Sequence, residues 1–201
     1  LPVCEMKYLI VGLGNPGEEY VATRHNAGRL AVEVIRKQFE FPDWVVDKKN
    51  FALKSEGKYE GQTVMLLLPE TMMNRSGKSI AALVKSAKDS ERLLVIHDDI
   101  DLPFGRFKLS FNRGSGGHRG LESIIKTIKT TTFLRVRIGI SPAGKKGTVK
   151  KPVGEEAIVK FILGRFRPAE FAAVKRLAKE IGEAAALWLT TGPASAMNKF
   201  N

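Results

Sequence analysis

YLIVGLGNPGEEYVATRHNAG, residues Tyr8 to Gly28, carries the reading that decides the fold class. The apolar run Tyr8–Val11 has the composition of a buried strand, and Gly12, Gly14 and Gly17 follow it in a tight turn. These glycines fit the G-x-G-x-x-G spacing of dinucleotide-binding turns. That reading fails physically: Pro16 removes an N–H donor, and Glu18 and Glu19 put negative charge where a pyrophosphate would lie. The helical period begins only near Ala27, too late for the helix to meet a phosphate on the turn. The turn instead carries Asn15, Tyr20 and His25 beyond the end of a strand, so the stretch is read as a hydrolytic loop.

Further strands are expected at Gln62–Leu68, Leu93–His97, Arg106–Phe111 and Leu134–Ile140, with Phe51–Ser55 in a hairpin closed around Gly57–Gly61. Between them lie helical periods at Ala27–Phe39, Ser76–Ser86, Leu121–Lys129 and Glu155–Leu163. A last helix runs from Pro168 to about Leu189, with an apolar stripe at Phe171, Val174, Leu177, Ile181, Ala184 and Trp188. Alternating strands and helices predict an α/β fold: a single-domain, three-layer sandwich with a twisted mixed sheet flanked by helices. Residues 1–6 are read as an N-terminal extension and 7–201 as one domain. The Gly/Pro/Lys-rich stretch 141–154 is a flexible basic loop, either a connector or a mobile lid.

The 201 residues suffice for one core. No apolar run is long enough to cross a bilayer, and the N-terminus has no signal-peptide pattern, so a cytoplasmic protein is expected. The lone Cys4 has no partner for a disulfide. The net charge of +12 is concentrated: Arg106–Lys151 holds twelve Lys or Arg against Glu122 alone, leaving the remainder at +1. A one-segment excess suggests a polyanion footprint, though a solvated basic face has the same composition. No aromatic-interleaved motif for stacking single-stranded bases is present, so backbone contact without sequence readout is expected.

Three expected strands finish in polar groups of one chemistry. The first leads to Asn15 and His25, the second to Met72, Met73 and Asn74, and the third to His97, Asp98 and Asp99. Sites in open α/β sheets gather at such ends. A histidine that activates water, a carboxylate that holds the imidazole, and amides near a carbonyl together make a hydrolytic site. Each element also has a plainer reading. His25 fits a structural loop histidine, Asn74 a cap on the helix near Ser76, Asp98 and Asp101 turn residues, and the methionines core packing. His25, His97 and His118 show no metal-binding spacing, and GSGG at Gly114–Gly117 is no nucleophile elbow. No metal or other cofactor is expected.

Four blocks, IVGLGNPGEEYVATRHNAG, ETMMNRSGKSI, VIHDDIDLPFG and GSGGHRGLESI, resemble the signature blocks of bacterial-type peptidyl-tRNA hydrolase in the same order. The resemblance runs from about Lys7 to Asn198. It implies hydrolysis of the ester between a peptide and the terminal ribose of tRNA, acting on the acceptor stem and 3′ end, in a monomer with no obligate protein partner. By the same resemblance His25 is the general base and Asp98 holds its imidazole. Asn15 binds the peptide backbone, and Asn74 bonds the substrate near the ester. Tyr20, Met72, Met73 and Gly117 contact substrate, while Lys108 and Arg137 grip tRNA phosphates. Two positions depart from the family pattern. Arg119 stands where GGHNG has asparagine, and Ser110 stands where a basic residue is frequent. A guanidinium has five donors and no acceptor, so it cannot replace both halves of an amide. It can bind a phosphate or donate to a developing oxyanion, and Arg119 is counted with the substrate- and tRNA-binding residues. The contrasting reading is a relative that has lost catalysis and serves as an RNA-binding module.

Overall fold

The apolar runs first read as strands are buried on both faces, as a sheet covered by helices requires. The computed structural model describes residues 7–144 and 148–201. Its strands are β1 (Tyr8–Gly12), β2 (Val45–Asp47), β3 (Ala52–Tyr59), β4 (Gln62–Pro69), β5 (Leu93–Pro103), β6 (Phe107–Phe111) and β7 (Leu134–Ser141). Its helices are α1 (Ala27–Gln38), α2 (Ala87–Ser90), α3 (Arg119–Ile128), α4 (Glu155–Leu163), α5 (Pro168–Thr191) and α6 (Pro193–Phe200). The sheet order is β2-β3-β4-β1-β5-β7-β6. β1 lies parallel to both β4 and β5, β5 is parallel to β7, and antiparallel pairs complete both edges.

Successive side chains of each strand enter different cores. Ile10, Leu66, Leu94 and Ile96 pack with α1 and α5, while Leu9, Val11, Leu67, Leu93 and Val95 pack with α3 and the 3-10 turn Met73–Ser79. The expected α/β sandwich is therefore the observed one. The α5 stripe is core packing: Val174, Ile181, Ala184 and Trp188 are buried, and Trp188 meets the Tyr8 ring edge-on at 5.0 Å.

Two glycines of the opening stretch serve a close approach of backbones. A Cβ at Gly12 would lie 2.6 Å from the Gly28 carbonyl oxygen, and a Cβ at Gly28 would strike the Ile96 carbonyl oxygen and lie 2.7 Å from the Leu13 nitrogen. The first turn of α1 thus sits directly on the ends of β1 and β5. Gly28→Ala is expected to cost about 1–3 kcal/mol or more, because backbone rather than a flexible side chain must yield. A lower urea midpoint at unchanged slope would register this, whereas an unmoved midpoint would mean that α1 can back away freely.

The structure corrects three expectations and adds two elements. Residues 76–86 form no α-helix: the 3-10 turn Met73–Ser79 occupies its start, and α2 begins after the Ser86 capping box. Side-chain bonds compete with the helical ladder there, Ser76 Oγ donating to the Met73 carbonyl at 2.8 Å and Ser79 Oγ to the Phe51 carbonyl at 3.0 Å. The third strand does not stop at His97 but continues to Pro103, with a register irregularity between Asp99 and Pro103. Asp98 and Asp101 are therefore strand residues and not turn residues. Two short elements, β2 and α6, had no strong period to announce them.

The N-terminal extension at residues 1–6 lies outside the described residues. So do 145–147 of the basic loop, whose flanks meet in an isolated bridge between Ala143 and Val149. No helix is long and apolar enough to cross a membrane among the described residues.

Candidate active site

Asn15 and His25 are presented by a loop that ties itself together. The Asn26 side chain accepts from the Asn15 N–H and donates to the Asn15 carbonyl, each at 2.9 Å. The Asn15 side-chain oxygen accepts the Met73 N–H at 2.8 Å, which joins the first strand end to the second. That bond leaves the Asn15 amide nitrogen as the group free to serve a ligand. The far side of the loop is held by the chain after α4, through Arg24 N–H to Gly164 at 3.0 Å and Phe166 N–H to Ala22 at 2.8 Å.

His25 is buried, and its Nδ1 lies 3.0 Å from both carboxylate oxygens of Asp98. A carboxylate only accepts, so Nδ1 carries the proton and Nε2 keeps its lone pair. Burial pulls the His25 pKa down, but the charge and hydrogen bonds of Asp98 outweigh it, so the value stands above that of an ordinary histidine. Arg119 acts weakly in the opposite sense. Asp98 is fully buried, which alone would favour its neutral form. The facing His25 and His118 reverse that and hold it ionised, well below the usual carboxylate range.

His118 is the second partner of that carboxylate. Its Nδ1 accepts from the N–H groups of Gly120 and Leu121 at 3.2 and 3.3 Å, capping α3. The proton is thereby fixed on Nε2, which donates to Asp98 Oδ1 at 3.1 Å. His97 Nδ1 donates to the Asp98 carbonyl at 2.7 Å, and its buried Nε2 has no partner among the described residues. Burial, helped by His118, pushes the His97 pKa well below the ordinary histidine value and keeps it neutral. Sequence reasoning missed His118, Asn26 and Arg135 as positioning groups. Arg135 is buried and donates to the carbonyls of Arg113 and Gly114, holding the glycine loop from beneath. Burial and the charge of Arg137 lower its pKa to about 10, so it stays cationic at neutral pH.

A cavity of about 1050 Å³ opens over this cluster. His25, Asp98, Asn15, Asn74, Met72, Met73, Gly117, Arg119, Arg137 and Ser110 all line it. Asn74 is exposed, inside the 3-10 turn and not capping an α-helix, and has no hydrogen-bond partner among the described residues. Met72 is 47% exposed, whereas the Met73 side chain is in the core and offers the site its N–H. Arg137 Nε donates to Asp99 at 2.6 Å.

Two expected contacts lie elsewhere. Tyr20 is half-buried on the turn Glu18–Tyr20, off the cavity wall. Lys108 is exposed on β6, opposite Arg137, and lines a separate cavity of about 530 Å³ with Asp101 and Glu180.

The histidines absent from any metal-binding spacing do converge in space. His25, Asp98 and His118 place ligand atoms within 4.8 Å of one another. Both His118 nitrogens, His25 Nδ1 and the Asp98 carboxylate are already engaged with protein partners, so only His25 Nε2 is left to face a ligand. The donor set is arranged to hold one imidazole and not to surround an ion.

A family model described as peptidyl-tRNA hydrolase matches residues 9–201. Peptidyl-tRNA hydrolase of Syntrophotalea carbinolica is 39% identical over 197 residues, covering 96% of each protein. The Brevibacillus brevis protein of the same name is 37% identical over 194 residues, covering 96% of this chain and 97% of its own length. The crystal structure of peptidyl-tRNA hydrolase from Acinetobacter baumannii superposes with a TM-score of 0.85 at 33% identity, over 98% of this chain and 95% of that one. With near-complete coverage in both sequence and fold, the chain belongs to the peptidyl-tRNA hydrolase family.

Proposed function

We propose that the protein hydrolyses the ester bond joining a peptide to the 3′-terminal ribose of tRNA, releasing the peptide and returning the tRNA to translation. The observation that carries this reading is the buried Asp98–His25 pair, which leaves His25 Nε2 basic at the cavity. Nε2 takes a proton from a water molecule as the water oxygen attacks the ester carbonyl. The amides of Asn15 and Asn74 act as donors to the oxyanion and to the peptide backbone, without reorganising as charge develops. The intermediate collapses with return of the proton from His25 to the departing ribose oxygen. Asp98 stabilises the transient imidazolium without taking its proton. No step uses a metal or cofactor.

Met72 supplies an apolar contact beside the reacting end, and Gly117 allows close approach of substrate to backbone. Arg137 and Lys108, adjacent across β7 and β6, bind phosphates of the acceptor stem. Tyr20, off the cavity wall, would reach substrate only where the tRNA end overlaps the loop rim. The protein acts as a cytoplasmic monomer. The loss-of-catalysis reading accounts for the basic segment but gives no reason for a buried carboxylate to hold a histidine tautomer.

Peptide release from N-acetyl-aminoacyl-tRNA tests the proposal. Turnover is the expected result, and binding without release would favour the RNA-binding module. Affinity for the tRNA is expected to fall steeply as salt rises, because phosphate contacts release counterions. A flat response in a filter-binding titration would remove the basic segment from the footprint.

A further inference from the structure

We propose that Arg119 is a specificity-determining residue that binds the last phosphodiester before the esterified ribose, and that Glu155 occupies its guanidinium until substrate displaces it. The inference rests on the hydrolase reading and adds a substrate contact and an internal competitor to it.

Arg119 is the first residue of α3 and directly follows His118, the second partner of Asp98. Its side chain is 60% exposed at the cavity, and Glu155 is its only hydrogen-bonding partner among the described residues. Structural need does not explain the residue. A cation in the first turn of a helix opposes the helix dipole, and an exposed ion pair contributes little to stability. Glu155 is 78% exposed and begins α4, a helix with no buried residue, so breaking the pair disturbs little packing. Two exposed side chains tied across a cavity mouth are a contact that substrate can exchange cheaply.

The chemistry of the displacing group follows from the neighbours. Arg137 is held by Asp99, and Lys151 is held by Asp101, in the same way. Two cations that line the cavity, Arg119 and Arg137, thus each carry an internal carboxylate as counter-ion, and Lys151 is tied to Asp101 of the same wall. A single acidic side chain of a peptide could displace one of them, whereas a chain of phosphates can take all three. A guanidinium also matches phosphate oxygens in a two-point contact. Arg119 is the cation next in sequence to the catalytic cluster, so the phosphate nearest the ester is the one assigned to it. The influence of its charge on His25 agrees with that proximity.

The test uses the full chain and three esters of one N-acetyl-amino acid: a nucleoside, a dinucleotide with one phosphodiester, and tRNA. Arg119→Gln is expected to raise KM about tenfold on the dinucleotide and tRNA esters, the scale of one charge-assisted contact, and to leave KM for the nucleoside ester, which has no phosphodiester, close to wild type. Arg119→Lys should recover part of the loss. Glu155→Gln is expected to lower KM on the phosphate-bearing esters, since the competitor is gone. Retained turnover of the nucleoside ester also certifies folding.

Equal loss on all three esters would place Arg119 in the chemical step and overturn the assignment, as would no loss on any. Raised KM in Glu155→Gln would make the pair structural and overturn the exchange. A loss confined to esters of acidic amino acids would mean that Arg119 reads the peptide instead. Failure of the wild-type protein to cleave any ester would overturn the hydrolase reading itself.

Discussion

His25→Ala is expected to lower kcat for peptide release by about 10²–10⁴, the range that a positioned general base supplies, while tRNA affinity stays close to wild type. The two readouts separate because His25 lines the cavity, whereas the tRNA contacts proposed above fall to Arg137 and Lys108 on β7 and β6. The fold should survive the change. Asp98 would keep His118 as donor, so its buried carboxylate would not be stranded, and the Asn15–Asn26 clamp does not involve the imidazole. Exogenous imidazole small enough to enter the cavity should restore part of the rate. Undiminished single-turnover release in the variant would remove His25 as base and leave the Asp98 pair without a catalytic purpose.

What the sequence made legible follows what is local. The β1–loop–α1 unit could be read because Tyr8–Val11 is uniformly apolar and Pro16, Glu18 and Glu19 rule out the phosphate turn. The reason for Gly12 and Gly28 was not legible. It is a packing of α1 against β1 and β5, and β5 lies far along the chain. Residues 76–86 misled because their apolar spacing is helical, while Ser76 bonds back to Met73 inside the 3-10 turn and Ser79 bonds to the distant Phe51 carbonyl.

The site divides similarly. His25, Asp98, Asn15 and Asn74 stood out as polar residues after apolar runs, and the structure brings all four to one cavity. His118 was visible only as an isolated histidine. Its role needs both the N-terminus of α3, which takes one nitrogen, and Asp98 on a distant strand, which takes the other. A Gly-Gly-His run just before a helical period was the available signal, but histidine is not a frequent cap. Arg135 looked like one more cation in a basic segment, although its burial makes it a brace for the glycine loop. Charge counting finds where cations are dense and cannot tell which of them are already occupied.

Asp98→Asn separates the two services the carboxylate performs. The variant side chain has one oxygen and one NH₂ in place of two acceptors. His118 Nε2–H requires an acceptor, because α3 already fixes its tautomer, so the oxygen must face His118 and the NH₂ must face His25. His25 Nδ1 would then accept, its proton would move to Nε2, and no lone pair would remain at the cavity. A loss in kcat of about 10⁴ is expected, the scale at which a wrong histidine tautomer disables a carboxylate–histidine pair. The pH profile should move as well. In the wild type burial lowers the His25 pKa and Asp98 more than restores it, so the acid limb of the rate lies above the ordinary value of about 6.5. Without the negative charge only the lowering influences remain, and the limb of the residual rate should shift to lower pH. Stability follows with two signs. The depressed Asp98 contributes above its unfolded value of about 3.9 and loses that contribution as pH falls. The raised His25 contributes fully below about 6.5 and loses its share as pH rises through the folded value. The destabilisation of the variant relative to wild type, read from urea midpoints, should therefore be greatest between about pH 4 and 6.5, where both contributions are present. A variant that lost rate with an unmoved acid limb and a pH-independent stability difference would show that Asp98 only fills space beside the imidazole.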